Sequence, residues 1–189
     1  MSVNYLRIEN FLLPLERNQI FDFAVQNEHE FVKSVLTPFN NGGRSSKVMY
    51  QFPYADFVKN QLLRLLPVAV DALDIVVDSF SHIDCQLTAS NDKDFLHPHP
   101  DKTSIITTRF LTFVYYLHKL PKPFMGGELV IYGNQDSEQS GNDFQVIEPS
   151  NNSLILFDSR LVHEVLPVRC PGGRFENSRF TVNGWFNYK

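Results

Sequence analysis

Two periodicities divide the chain. In the first third, apolar residues recur at helical spacing: Ile20, Phe23 and Ala24 fall at i, i+3, i+4, and Val58, Leu62, Leu65, Leu66 and Ala69 at i, i+4, i+7, i+8, i+11. Both segments predict helices with one apolar stripe, the second divided or kinked at Pro67. A short strand, Tyr5 to Ile8, precedes them. From about Val76 onward the pattern changes to short β-branched and aromatic runs separated by turn-rich gaps: SFSHIDCQLTA, SIITTRFLTFVYYLH, GELVIYG, FQVIEP, SLILFDS, HEVLPV and RFTVNGWFNY. Many short strands after two helices predict an α+β, mainly β protein: a sandwich or small barrel whose face the helices cover. No repeat or low-complexity tract interrupts residues 1–189, so a single domain is expected, helical over about 1–75 and β over about 76–189.

Composition narrows the function classes. A chain of 189 residues with 43% hydrophobic content can bury its own core. With 21 acidic against 17 basic residues, net charge -4 and no Lys/Arg block, nucleic acid is not an expected partner. No segment has the length of a bilayer-spanning helix, so no membrane partner is expected and a cytoplasmic location is. Cys85 and Cys170 form no CxxC pair and read as small buried hydrophobes.

The densest metal-capable stretch is LHPHPD, Leu96 to Asp101. In extended chain His97, His99 and Asp101 share a face, but His97 and Asp101 lie roughly 13 Å apart at about 3.3 Å per residue, too far to share one ion. One neighbouring pair can bind, with a third ligand from elsewhere. His97 with His99 makes an HxH pair of cupin type; His99 with Asp101, or His82 with Asp84, supplies an imidazole and a carboxylate, which one more histidine completes to the facial triad of non-haem Fe(II) sites. His82 and Asp84 sit in a regular strand pattern that reads as a solvent face. The third ligand is expected to be His163, at a strand start in FDSRLVHEVLPV; His118 reads as a solvated strand end and His29 as surface helix.

Read as a strand from Arg179, RFTVNGWFNY places Arg179, Thr181, Asn183 and Trp185 on one face. A buried arginine there needs an anionic partner, and its planar fork matches a carboxylate. From about residue 85 onward the chain resembles the Fe(II)/2-oxoglutarate-dependent oxygenases of the prolyl 4-hydroxylase-like branch. The likeness rests on HPD at His99 to Asp101, LTFVYYLHK, MGGELVIY, HEVLPV at His163 and RFTVNGWF from Arg179, in that order. It implies a double-stranded β-helix, a jelly-roll barrel, with His99, Asp101 and His163 on iron. It further implies that Arg179 and the hydroxyl of Tyr116 bind the distal carboxylate of 2-oxoglutarate, with Val114, Leu129 and Val165 lining the apolar part of that pocket.

The implied reaction couples decarboxylation of 2-oxoglutarate to succinate and CO2, using O2 and with ascorbate as a reductant, to hydroxylation of a C–H bond in a prolyl, peptidyl or small-molecule substrate. The carboxylate of Asp101 fits hydroxylation, since related halogenases lack it. TASNDKDFLHPHPD carries no tyrosine where prolyl hydroxylases place one, which points to a different pocket shape or substrate contact. Thr181, Asn183, Trp185, His97 and Arg44 remain as second-layer or substrate residues, with His97 read as solvated and Arg44 and Ser45 as an exposed turn in NNGGRSSKVMY. Arg169 and Arg174 read as loop residues, GNQDSEQSGND (133–143) as a flexible hairpin connection, and the assembly as monomer or homodimer. The alternative from another class is a non-catalytic cupin-like metal-binding or sensor module built on His97, His99 and His163.

Overall fold

The computed structural model describes residues 3–34, 43–133 and 143–189. The N-terminal third contains β1 (Tyr5–Glu9), α1 (Pro14–Gln26), β2 (Val32–Lys33), β3 (Arg44–Ser45), β4 (Lys47–Met49) and α2 (Ala55–Ala72). The remainder is β5 (Phe80–Ser90), β6 (Phe95–His99), β7 (Arg109–Leu117), β8 (Met125–Gly126), β9 (Leu129–Tyr132), β10 (Phe144–Ile147), β11 (Ser153–Asp158), β12 (His163–Val165), β13 (Val168–Arg169) and β14 (Arg179–Tyr188).

Both helices follow from their patterns. Pro14 opens α1 at a position where a missing N–H costs nothing, and the Glu16 carboxylate accepts the Leu13 N–H at 2.9 Å. Its Ile20 and Ala24 are buried, as are Val58, Leu62 and Ala69 of α2. Pro67 does not divide α2, which runs through it unbroken. The group Pro67 leaves unpaired, the Leu63 carbonyl, belongs to a side of the helix where Leu63 and Val68 are exposed.

Antiparallel pairing builds a seven-stranded sheet in the order β1-β11-β7-β14-β5-β4-β2 and a five-stranded sheet in the order β10-β9-β12-β6-β3. The seven-stranded sheet is apolar on both sides for different reasons. On its outer side Leu87, Phe113, Leu154, Val182 and Phe186 pack with Ile20, Ala24, Val58 and Leu62 of the helices. On its inner side Tyr116, Ile155 and Phe157 meet Leu129, Ile131 and Ile147 of the five-stranded sheet. This is the double-stranded β-helix with helices on one face. Only one end of the inter-sheet space is filled by that second cluster; the other is lined by polar side chains.

Two local readings change. Gly43 to Tyr50 is not a turn but the two short strands β3 and β4, which add to the edge of one sheet and to the seven-stranded sheet next to its β2 edge. Arg169 is a strand residue, paired with Met125, whereas Arg174 does lie in a loop, exposed and paired with Glu176. Residues 134–142, and 40–42 at the start of NNGGRSSKVMY, lie outside the described residues. Among the described residues no helix is long and apolar enough to cross a membrane.

Candidate functional site

Register brings the two distant histidines together. His163 on β12 is the direct cross-strand partner of His99 on β6, and their ring centroids are 4.5 Å apart. Asp101 lies just past the end of β6. Its backbone N–H donates to the Ser159 carbonyl at 3.0 Å, turning its carboxylate inward. Asp101 Oδ2 is 3.3 Å from His163 Nε2, and Oδ1 is 3.7 Å from His99 Nε2. One ligand atom from each of the three lies within 4.8 Å of the others, and all three residues are buried.

The atoms around them fix how these groups point. Nδ1–H of His99 donates to the His97 carbonyl at 2.9 Å and that of His163 to the Leu161 carbonyl at 3.0 Å. Each ring therefore turns an Nε2 lone pair into the cluster, the arrangement that metal-binding imidazoles need. Thr112 Oγ donates to Asp101 Oδ2 at 2.8 Å and shares a contact of 2.9 Å with Ser159 Oγ. Burial opposes ionisation of Asp101, but His163 and His99 beside it prevail and hold the carboxyl well below the usual range. His99 is raised: burial works against its cationic form, and the Asp101 contact outweighs that. Burial lowers His163. A carboxylate with two imidazole lone pairs in one buried cluster is a donor set for a borderline divalent metal.

Adjacent to this cluster is a cavity of about 460 Å³, within the usual range of about 300–1,000 Å³ for small-molecule sites. Its back wall is the centre of the seven-stranded sheet. Arg179, Thr181, Asn183 and Trp185 alternate along β14, opposite Ser90, Thr88, Gln86 and Asp84 of β5 and beside Tyr116, Val114 and Thr112 of β7. Val114, Leu129 and Val165 line the same space. Asn183 is held in place, its Oδ1 accepting from Thr88 Oγ at 2.8 Å and Thr181 Oγ at 3.2 Å.

The most telling atoms are those without partners. Arg179 is 3% exposed, yet among the described residues its Nε and Nη2 are buried and find no hydrogen-bond partner, and nor does the hydroxyl of Tyr116, whose ring centre lies 4.9 Å from the guanidinium carbon. Burial lowers the Arg179 pKa and raises that of Tyr116, outweighing the stabilisation that the two groups lend each other. Several kcal/mol are lost by leaving such groups dry and unpaired, so the geometry calls for an anion with oxygen acceptors at this end of the cavity. Room for Arg179 comes from Gly127: a Cβ there would lie 2.7 Å from Arg179 Cδ.

Other expected residues fall elsewhere. His97 is exposed, its ring against Phe95 at 4.6 Å, and it stands outside the His-Asp-His cluster. His82 and Asp84 sit 3.5 Å apart near the surface, and Asp84 also borders the cavity. Arg44 is a half-buried cavity residue, not an exposed turn, because pairing of β3 with β6 carries it inward. His118 is not solvated: it is 3% exposed, donates from Nδ1 to the Lys119 carbonyl at 2.9 Å and meets Phe124 edge-on. Cys85 is half-buried against the cavity, while Cys170 is core.

Sequence reasoning missed Arg109, Thr112 and Ser159. Arg109 Nη1 lies 3.9 Å from Asp101 Oδ1, and its guanidinium carbon stacks 3.4 Å from the centre of the Trp185 ring. Thr112 had a signal, since it shares strand parity with Val114 and Tyr116. Arg109 had none: a β-bulge opposite Phe186 and Asn187 reverses its side.

Known proteins resemble this chain in sequence and in fold. An uncharacterised PKHD-type hydroxylase of Synechocystis is 38% identical over 98% of this chain, which spans 63% of that relative's length. A Pseudomonas putida prolyl-4-hydroxylase superposes with a TM-score of 0.73 at 19% identity, covering 100% of this chain and 94% of its own. HygX from Streptomyces hygroscopicus, solved with nickel, 2-oxoglutarate and hygromycin B, gives 0.65 at 12% identity, covering 100% and 84%. The model of the 2OG-Fe(II) oxygenase superfamily matches residues 85–187, the stretch that supplies all three members of the buried cluster and the unpaired arginine, and the chain belongs to that family.

Proposed function

We propose that this protein is a hydroxylase in which His99, Asp101 and His163 hold Fe(II) while Arg179 and Tyr116 hold 2-oxoglutarate. The observation that carries the proposal is that Arg179 Nε and Nη2 and the Tyr116 hydroxyl, unpaired among the described residues, lie at the same cavity as the buried His-Asp-His cluster. The family's cofactors are Fe(II), 2-oxoglutarate and O2, and the donor set fits them. When bound, they supply oxidative decarboxylation of 2-oxoglutarate to succinate and CO2 and the oxidising power to hydroxylate an unactivated C–H bond.

The chain's own residues do the rest. Three protein ligands on one side leave the remaining positions for small molecules. The Arg179 fork and Tyr116 hydroxyl receive a carboxylate, and Val114, Leu129 and Val165 keep water from the carbons between. Thr112, itself steadied by Ser159, fixes one Asp101 oxygen so that the other is free to ligate. The acceptor is a C–H bond of a prolyl or other peptidyl residue, or of a small molecule. The Synechocystis relative is named a PKHD-type hydroxylase and the Pseudomonas putida structure a prolyl-4-hydroxylase, which supports hydroxylation as the outcome. A metal sensor built on His97, His99 and His163 would need His97 to leave the solvent.

The test is Fe(II) and 2-oxoglutarate binding with succinate production, using proline-containing peptides, amino acids and metabolites as acceptors. His163→Ala and Asp101→Ala abolish metal binding while His97→Ala does not, and Arg179→Met loses 2-oxoglutarate but keeps the metal. Retained metal affinity in Asp101→Ala together with its loss in His97→Ala refutes the proposal in favour of the sensor.

A further inference from the structure

With iron and 2-oxoglutarate in place, the charges in the cavity do not balance. Divalent iron cancels doubly ionised 2-oxoglutarate, and Asp101 cancels Arg179. Two more arginines line the same cavity, Arg44 on β3 and Arg109 on β7, against one further carboxylate, Asp84. Asp84, which accepts from Asn187 Nδ2 at 3.1 Å, offsets part of the Arg109 charge, so one positive charge remains over. Arg44 donates from Nε to Ser46 Oγ at 2.9 Å and makes no ion pair among the described residues. Arg109 has one close carboxylate among them, Asp101 at 3.9 Å, which the metal would occupy.

Burial lowers the pKa of both arginines, so each is a partly desolvated cation. Such a cation is costly unless an anion meets it. Their placement gives that anion a purpose. Arg44 comes from the five-stranded sheet and Arg109 from the seven-stranded sheet, and both line the cavity that Asp101 borders. The ring of Trp185 fixes the plane of the Arg109 guanidinium, leaving its N–H edge free to fork a carboxylate.

We infer that the hydroxylated substrate is an acid, whose carboxylate is held by Arg44 and Arg109 beside the metal position. This rests on the oxygenase reading above. Anchoring a charged end there would bring a neighbouring C–H bond to the reacting centre in a defined orientation. The carboxylate is that of a small metabolite or of a peptide.

Trp185 is the only tryptophan in the chain and touches Arg109, so its fluorescence reports on the inferred site. The protein is loaded anaerobically with Mn(II) and 2-oxoglutarate. Quenching by iodide, caesium and acrylamide then reads the field at Trp185. Free amino acids and N-acetylated tripeptides, each as acid and as primary amide, are titrated against the same signal. Relative to free N-acetyltryptophanamide, iodide quenches more than caesium, and at least one acid binds about tenfold to a hundredfold tighter than its amide. Binding by an amino acid marks a metabolite site; binding by a tripeptide acid alone marks a peptide site.

Arg44→Gln and Arg109→Gln each lose most of that discrimination, while Arg109→Lys, which keeps the charge, retains part of it. No iodide preference, or no acid that outbinds its amide, including the case in which nothing binds, overturns the inference. Failure of the underlying reading looks different: 2-oxoglutarate would then bind Arg179→Met as it binds the unaltered protein.

Discussion

Gly126 and Gly127 sit side by side with left-handed φ values of +72° and +73°, yet alanine at each should damage a different property. At Gly127 an added Cβ falls 2.7 Å from Arg179 Cδ and 3.0 Å from Val168 Cγ2, so the methyl displaces the stem of the buried arginine. At Gly126 it falls 2.3 Å from the Pro167 carbonyl oxygen, a backbone clash that touches nothing in the cavity. Left-handed strain of about 1–2 kcal/mol and overpacking of about 1–3 kcal/mol put each variant roughly 2–5 kcal/mol below the unaltered protein. That is a fall of roughly 4–20 °C in Tm for a chain of this size.

The two variants part on ligand affinity. Moving a charge-assisted pair off its geometry costs about 1.5–3 kcal/mol, so Gly127→Ala weakens 2-oxoglutarate about tenfold to a hundredfold while Gly126→Ala leaves it within about twofold. Thermal unfolding and anaerobic titration of the Mn(II) protein with 2-oxoglutarate measure both quantities. Equal 2-oxoglutarate affinity in the two variants would refute the claim that Gly127 exists to seat Arg179.

Thr112→Val removes the hydroxyl that steadies Asp101 and should weaken Co(II) binding about tenfold, by calorimetry; unchanged affinity would make that hydrogen bond incidental. Gly184→Ala drives a Cβ to 1.9 Å from the Asp84 carbonyl oxygen in mid-sheet, where only backbone movement relieves it, and should cost about 3 kcal/mol or more in denaturant unfolding. Metal affinity should fall with acid through one proton, not two. The His99 pKa is raised above its ordinary value of about 6.5, so below it a proton must leave before Nε2 can ligate. His163 is lowered by burial and stays neutral there. The expected slope is up to about tenfold per pH unit in Co(II) titrations below the His99 pKa, and a slope of two protons would contradict it.

Much of the architecture was legible in local pattern. Helical spacing located α1 and α2, and β-branched runs located the longer strands, because each buries one stripe or face and the sequence must supply it. Strand parity also placed Arg179, Thr181, Asn183 and Trp185 on one side of β14, where they do line one cavity. What parity lacks is knowledge of what lies opposite. It could not choose between His97 and Asp101 as the partner of His99, whereas the structure gathers Asp101 with His99 and His163 and leaves His97 in solvent.

The remaining differences share that cause. Arg44 looked like a turn residue because a two-residue strand has no periodicity to detect; its pairing with Leu96 exists only once β6 is in place. Arg109 went unnoticed because a bulge in its pairing with a remote strand sets its direction. His118 looked solvated because a strand end usually is, and only the packing of Phe124 buries it. The sequence by itself determined the alternating faces, the donor types and the glycines at Gly127 and Gly184. Tertiary structure decided which donors converge and which polar atoms stay dry and unpaired, because distance between remote strands is set by sheet register, a property of pairs of segments that no single segment holds.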